Sequence, residues 1–259
     1  MKITALIENT RPDAETELVA EHGLSLLVER DGQRILFDTG ASGAFGDNAD
    51  KLGIDLAGVD AVVVSHHHFD HGGGLARFLE ENRTAKVYLR SSGEKDFYFR
   101  APLLGSRYIG LDQELLREQA GRLQFVDGFT EILPGVYILT AIDTQHAQPK
   151  GNKRLFVKKN DVFEQDSFAH ELLMVTREEG GLVVFSGCSH HGIQNMLSTV
   201  TGRFPDDPIK AVVGGFHLIG LPVFNTMAGS RKDIRGLGAE LLEYPVGQYY
   251  TGHCTGAKA

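Results

Sequence analysis

Residues 65–74 read Ser65-His66-His67-His68-Phe69-Asp70-His71-Gly72-Gly73-Gly74, directly after the apolar run Ala61-Val62-Val63-Val64. A short β-branched run reads as a buried strand. The histidines and the aspartate therefore fall on the loop leaving its end, before a helix that starts near Leu75. In extended backbone alternate residues face the same way, so His66 and His68 can bind one metal ion. A turn at Asp70-His71 can present those two side chains to a second ion, at the two-metal spacing of about 3.5–4 Å. Imidazole with carboxylate suits zinc, iron or manganese. A purification tag would lie at a terminus, whereas this run is internal and framed by a strand and three glycines. His67, between the ligands, is expected to turn away toward the pocket rim or the packing layer.

Three further strand-like runs end in the same way. Leu182-Val183-Val184-Phe185 leads into Ser186-Gly187-Cys188-Ser189-His190-His191-Gly192, Ala211-Val212-Val213 into Gly214-Gly215-Phe216-His217, and Gln248-Tyr249-Tyr250-Thr251 into Gly252-His253-Cys254. Strand ends carrying glycine and histidine toward one edge are what a metal site in an open α/β sheet needs. The chain has two cysteines, Cys188 and Cys254, each beside a glycine or histidine of these motifs. Both read as pocket residues, with Cys188 a candidate thiolate ligand. Asp38, at the end of Ile35-Leu36-Phe37, is placed to hold a ligand histidine through its other ring nitrogen.

The remaining pattern predicts strands at 3–7, 24–29, 34–37, 61–64, 86–89, 136–139, 172–176, 182–185, 210–213 and 248–250. It predicts helices at 43–52, 75–81, 114–120, 193–200 and 230–242. Strands followed by helices, twice over, suggest two sheets face to face with helices outside, a four-layer αββα sandwich. The chain of 259 residues suits one large α/β domain or two small ones. The segments 91–112 and 143–169 have weak signals. The second contains Lys150, Lys153, Arg154, Lys158 and Lys159. It reads either as a solvated loop or as a lid or rim that attracts an anionic substrate through Lys153 and Arg154.

No apolar run approaches the ~20 residues of a membrane span, and Met1–Glu8 looks like a strand rather than a signal peptide. The cytoplasm is the expected location. A net charge of −8 argues against non-specific nucleic-acid binding, yet leaves room for a local basic pocket. A homodimer is the default expectation. His146 and His191 are expected at the surface.

His66-x-His68-x-Asp70-His71, with Asp38 upstream and Gly252-His253 downstream, resembles the metallo-β-lactamase fold superfamily over nearly the whole chain. The resemblance implies the αββα sandwich as a single domain, 1–259, with two divalent ions. Zinc is the first expectation, and iron, manganese and magnesium are alternatives. His66 and His68 would bind the first ion; Asp70, His71 and His253 would bind the second. Gly187-Cys188-Ser189-His190, Glu21-His22-Gly23, Gly214-Gly215-Phe216-His217 and Thr251-Gly252-His253-Cys254 resemble one branch. That branch is typified by the dihydropterin–ribofuranosylaminobenzene phosphate synthase. There His190 would be the third ligand of the first ion, with His170 as the alternative, and Cys188 would bridge the ions or line the site. Asn9, Glu21 and His22 are weaker pocket candidates.

The function expected first is a hydrolase. Its ions would activate water for attack on a carbonyl or phosphoryl centre of a small anionic substrate, Asp70 would orient the nucleophile, and His217 would polarise substrate or move a proton. The branch resemblance implies an alternative, a transferase that uses a pterin diphosphate. Iron redox chemistry is disfavoured because oxygen-reducing relatives usually replace the second histidine by a carboxylate, and this chain keeps His68. A metal-containing protein that binds a ligand without turnover is the non-catalytic alternative.

Overall fold

The computed structural model describes residues 1–12, 17–102, 105–221 and 226–259. The chain divides into two compact units, Met1–Val126 with Phe156–Glu164, and Asp127–Leu155 with Gln165–Ala259.

The first unit is built on a six-stranded sheet in the order Lys2–Ile7, Ser25–Arg30, Gln33–Phe37, Ala61–Val63, Lys86–Arg90, Leu123–Val126. The first three strands pair antiparallel and the rest parallel. Ala61–Val63 is short, central and wholly buried, and two-sided burial is the condition under which a strand reads as a continuous apolar run. Leu27, Leu36, Val62, Val87 and Leu89 pack with Phe45 and Ala49 of helix Ala44–Lys51 and with Leu75, Phe78 and Leu79 of helix Leu75–Glu81. Burial of each such large side chain stabilises the fold by about 1.5–3 kcal/mol. The glycines after His71 are steric requirements. A Cβ at Gly73 would lie 2.3 Å from the Ala41 carbonyl oxygen, and one at Gly74 2.3 Å from that of Thr39. The chain thus presses against the 39–42 turn as it enters the helix.

A four-stranded sheet, in the order Val162–Gln165, Leu155–Lys159, Phe97–Ala101, Gly105–Tyr108, fills the segments of weak signal. It is held by cross-strand ring contacts. The Arg100 guanidinium sits 4.1 Å from the Phe163 ring centroid and 5.3 Å from that of Phe156, and Tyr98 meets Phe163 edge-on at 5.3 Å. Such pairs stabilise a sheet without any apolar–polar alternation in the sequence.

The second unit has its own six-stranded sheet, in the order Val246–Thr251, Ile209–Gly214, Gly181–Ser186, Leu173–Glu178, Val136–Leu139, Phe129–Leu133. Gly181–Ser186 is buried along its whole length. Its core joins Leu173, Val175, Leu182, Val184 and Val212 to Met196, Leu197 and Val200 of helix Ile193–Arg203. The strands Gly181–Ser186, Ile209–Gly214 and Val246–Thr251 run parallel, with Ser186 opposite Gly214 and Gly214 opposite Thr251. That register brings three strand ends side by side, and the residues that follow them are Gly187-Cys188, Gly215-Phe216-His217 and Gly252-His253-Cys254.

All ten expected strands and all five expected helices are present, with ends within three residues of expectation. The short helix Phe69–Gly72 and six strands were not foreseen.

Candidate metal centre

In the first unit the His motif begins where Ala61–Val63 ends. Asp38, at the end of the neighbouring strand, receives three hydrogen bonds: the Ser65 amide donates to Oδ1 at 2.7 Å, the Ser65 hydroxyl to Oδ2 at 2.8 Å, and His71 Nδ1 to Oδ2 at 2.7 Å. Since the Ser65 proton goes to Asp38, His66 Nδ1 is the donor in its 2.9 Å contact with Ser65 Oγ. Both rings therefore carry the proton on Nδ1 and the lone pair on Nε2, the tautomer a metal ligand needs. His66 Nε2 and His68 Nδ1 stand 3.0 Å apart. Two nitrogens of one tetrahedral zinc, at 2.0–2.1 Å each, would be separated by about 3.3 Å. Asp70 Oδ2 lies 3.8 Å from His71 Nε2 and 3.3 Å from His22 Nε2. His66, His68, Asp70 and His71 are all buried. His67 turns to the Arg90 carbonyl at 2.9 Å and meets the edge of Phe97. Glu21 accepts from the Ala41 and Ser42 amides and the Ser42 hydroxyl, and Asn9 accepts from the Gly23 amide at 3.2 Å. These two residues hold the turn beside Asp70.

In the second unit two donor triads share Cys188. The donor atoms of Cys188, His190 and His217 lie within 4.8 Å of one another, and so do those of Cys188, His253 and Cys254. His190 Nδ1 donates to Asn152 Oδ1 at 3.0 Å, while Asn152 Nδ2 donates to the His190 carbonyl at 2.7 Å. Nδ1 again carries the proton, so Nε2 is the ring's electron-pair donor. The His190 ring stacks on Phe168 at 4.4 Å. Glu171 accepts from the His190 amide at 2.7 Å, the His191 amide at 2.9 Å and His191 Nδ1 at 2.7 Å. His191, expected at the surface, is in fact buried, because this carboxylate lies beneath the loop and draws the ring inward. His146 is half-buried, with its amide donating to Asn195 Oδ1 at 2.7 Å. His170 Nε2 faces Asp166 Oδ2 at 3.2 Å, both enclosed.

His217 Nδ1 is buried and, among the described residues, has no hydrogen-bond partner. A buried polar atom of this kind is costly unless a ligand or ion meets it. Asp38, Ser189, His217 and His253 all have φ between 48° and 59°, the left-handed region that non-glycine residues avoid. Such strain persists where the surroundings fix it and gathers at functional sites. The Cys254 thiol is pushed up by burial, but contacts from Cys188 and His217 and the nearby His253 and His217 charges pull it further, to well below the usual thiol range.

Of the five basic residues at 150–159, Lys150 pairs with Asp233 at 2.8 Å, Lys158 with Asp161 at 2.7 Å, and Lys159 with Glu94 at 2.5 Å. Among the described residues only Lys153 and Arg154 of these carry no ion pair. They lie on the 3-10 turn Lys150–Arg154, whose buried Asn152 holds His190.

A family model described as the metallo-beta-lactamase superfamily matches residues 18–193. The chain belongs to this superfamily. Over 251 residues it is 29% identical to the 7,8-dihydropterin-6-methyl-4-(beta-D-ribofuranosyl)-aminobenzene-5'-phosphate synthase of Methanocaldococcus jannaschii, covering 93% of this chain and 83% of that one. An uncharacterized protein of the same organism is 29% identical over 230 residues, covering 85% and 80%. The crystal structure of Tm1679, a metal-dependent hydrolase of the beta-lactamase superfamily, matches with a TM-score of 0.80 at 33% identity, over 99% of this chain and 89% of that one. The α/β metallo-β-lactamase fold is thereby shown. The chain is an enzyme of this superfamily, a hydrolase or a transferase of the synthase-like branch, and acts on a small molecule. Superfamily membership implies divalent metal, and the histidine, cysteine and aspartate groups are donors able to hold it. Among the described residues no helix is long and apolar enough to cross a membrane.

Sequence reading passed over Asn152 and Glu171, which orient the 188–192 loop. Their only signal was chain position: Asn152 lay inside a basic stretch that drew attention for its charge, and Glu171 beside His170.

Proposed function

We propose that this chain is a metal-dependent hydrolase of a small anionic substrate, with two divalent ions and zinc the first candidate. The observation that carries the reading is the paired tautomer control in the first unit, where Ser65 and Asp38 fix the Nδ1 protons of His66 and His71. The ligands are His66 and His68 with His190 for one ion, and Asp70, His71 and His253 for the other, with Cys188 as a further donor. His190 is favoured over His170 because Asn152 fixes its proton on Nδ1 and so makes Nε2 the ligating nitrogen, whereas His170 directs Nε2 at Asp166. Bound there, the ions would supply Lewis acidity and a nucleophile usable at neutral pH. Asp38 and Asn152 hold ligand rings in one orientation. Asp70 orients the attacking group. His217, with its buried Nδ1, polarises the substrate or passes a proton. Lys153 and Arg154, the unpaired cations of the 150–159 stretch, attract the anion. The same stretch supports the reading of 143–169 as a rim of a single functional domain.

A second reading is a transferase that joins a dihydropterin-methyl diphosphate to an aryl ribose phosphate. It is favoured by identity to the named synthase over 93% of the chain. Metal-loaded protein assayed against esters, lactones and phosphodiesters, and separately against the pterin diphosphate with the aryl ribose phosphate, tests both readings. Hydrolysis of a member of the first set that stops on chelation is the expected result. Turnover of the pair alone would install the transferase. Inertness toward everything, with tight ligand binding, would defeat both.

A further inference from the structure

We propose that Cys254 is a second thiolate ligand, joining Cys188 and His253 as the donors that the second unit gives to the divalent ion already assigned to His253. Their donor atoms already lie within 4.8 Å of one another. Zinc–sulfur and zinc–nitrogen bonds of about 2.3 and 2.0 Å place tetrahedral donors less than 4 Å apart, so modest closure completes the set. The backbone is arranged around the Cys254 sulfur. The His217 amide donates to Cys254 Sγ at 3.3 Å, the kind of contact that stabilises and tunes a metal-bound sulfur. Gly215 leaves the sulfur its room, since a Cβ there would lie 2.3 Å from it. His253 takes a left-handed φ of 48° directly before it, which lets the adjacent imidazole and thiol address one point rather than opposite faces.

The ordinary explanation for Cys254 is a small buried apolar side chain. That explanation accounts for burial but not for a neighbouring thiol, an amide aimed at the sulfur and a ligand-type histidine together. Two thiolates and one imidazole form a soft set that selects zinc or iron over magnesium or manganese. Both sulfurs bind as thiolates, any remaining thiol proton passing to solvent, and there is no change of oxidation state.

The inference rests on the metal-dependent reading only in requiring that a divalent ion binds. It is tested on the full chain, kept reduced and loaded with cobalt(II). Wild type should show a near-ultraviolet sulfur-to-cobalt charge-transfer band. Cys254→Ser and Cys188→Ser should each lose about half of it, and the double variant all of it. X-ray absorption at the zinc edge of the wild-type protein needs no variant and should find two sulfurs per chain at about 2.3 Å. A band that Cys254→Ser leaves intact, or fewer than two sulfurs per chain, overturns the proposal while leaving the metalloenzyme standing. A Cys188–Cys254 disulfide in metal-loaded protein prepared without reductant overturns it as well. Failure to bind any divalent ion after reconstitution defeats both readings together.

Discussion

Asp38 Oδ2 lies 2.7 Å from His71 Nδ1, and both side chains are fully enclosed. The same carboxylate takes the Ser65 hydroxyl, which in turn takes His66 Nδ1. One buried acid therefore sets the proton position on two imidazoles of the His motif. Replacing Asp38 with Asn keeps the volume but offers one acceptor oxygen instead of two. Removal of an outer partner of this kind lowers metal affinity about 10–100-fold. Competition with a chromophoric chelator should show that loss in Asp38→Asn. Unchanged affinity would mean that neither ring depends on the carboxylate.

Asn152 plays the corresponding part for His190 through two hydrogen bonds, one to the ring and one to the carbonyl. Asn152→Ala should weaken metal binding about tenfold. Asn152→Asp retains an acceptor for Nδ1–H and should recover much of the difference. If both variants lose affinity equally, the ring contact is not what matters. Because Asn152 sits between Lys150 and Lys153, the two variants also separate orientation of the ligand from charge on the turn. The first lowers kcat, while Lys153→Ala with Arg154→Ala raises KM and spares kcat.

The central strands and the His motif were legible because burial forces an apolar run and metal chemistry forces donor types. Ala61–Val63 and Gly181–Ser186 announce themselves for this reason. Phe97–Ala101, Gly105–Tyr108 and Val162–Gln165 did not, since they belong to a small sheet in which the last two are mostly exposed and the first is only partly buried. Their stability comes from arginine–aromatic contacts across strands, which leave no periodic trace. At the site, strand-end position pointed to Cys188, His190, His217 and His253. Asn152 and Glu171 were invisible because each reaches the site from a distant segment, and nothing in a linear pattern ties residue 152 to residue 190. The placement of His191 was misjudged for the same reason.

Glu171 accepts from two successive amides and a ring nitrogen while fully buried. Glu171→Ala would leave the His190 and His191 amides without their acceptor in an enclosed place. Hydrogen bonds to a charged group contribute about 1.5–3 kcal/mol each, and an unsatisfied buried donor costs about 1–3 kcal/mol. Urea unfolding should therefore show a loss of roughly 3 kcal/mol or more. A change within 0.5 kcal/mol, the size of an ordinary surface substitution, would show that water replaces the carboxylate freely.

Tyr249 donates its hydroxyl to the Leu241 carbonyl at 2.8 Å. Burial, followed by the neighbouring Tyr244 phenol, pushes it up to about 12. The unfolded phenol ionises near 10, so between these values the folded state holds the proton that the unfolded state has lost. This contribution to stability is fully present below pH 10 and falls away as pH rises toward 12. Thermal unfolding followed across that range should show a steeper decline in wild type than in Tyr249→Phe. Parallel curves would remove Tyr249 as a source of alkaline sensitivity.

Gly215 carries the backbone between the Cys188 and Cys254 loops, with its amide donating to the Gly187 carbonyl at 2.9 Å. A Cβ at this position would lie 2.3 Å from Cys254 Sγ and 2.9 Å from the Gly187 carbonyl oxygen. The sulfur is the end of a short, enclosed side chain, and the other contact is backbone, so neither yields easily. Overpacking of this kind costs about 1–3 kcal/mol. Gly215→Ala should lower the unfolding midpoint accordingly and, by displacing Cys254, should also reduce the metal retained after dialysis. Gly202→Ala, on helix Ile193–Arg203 with open space around it, is the matched control and should leave metal content unchanged. Loss of stability in Gly215→Ala with full metal retention would show that the sulfur can move without disturbing the centre.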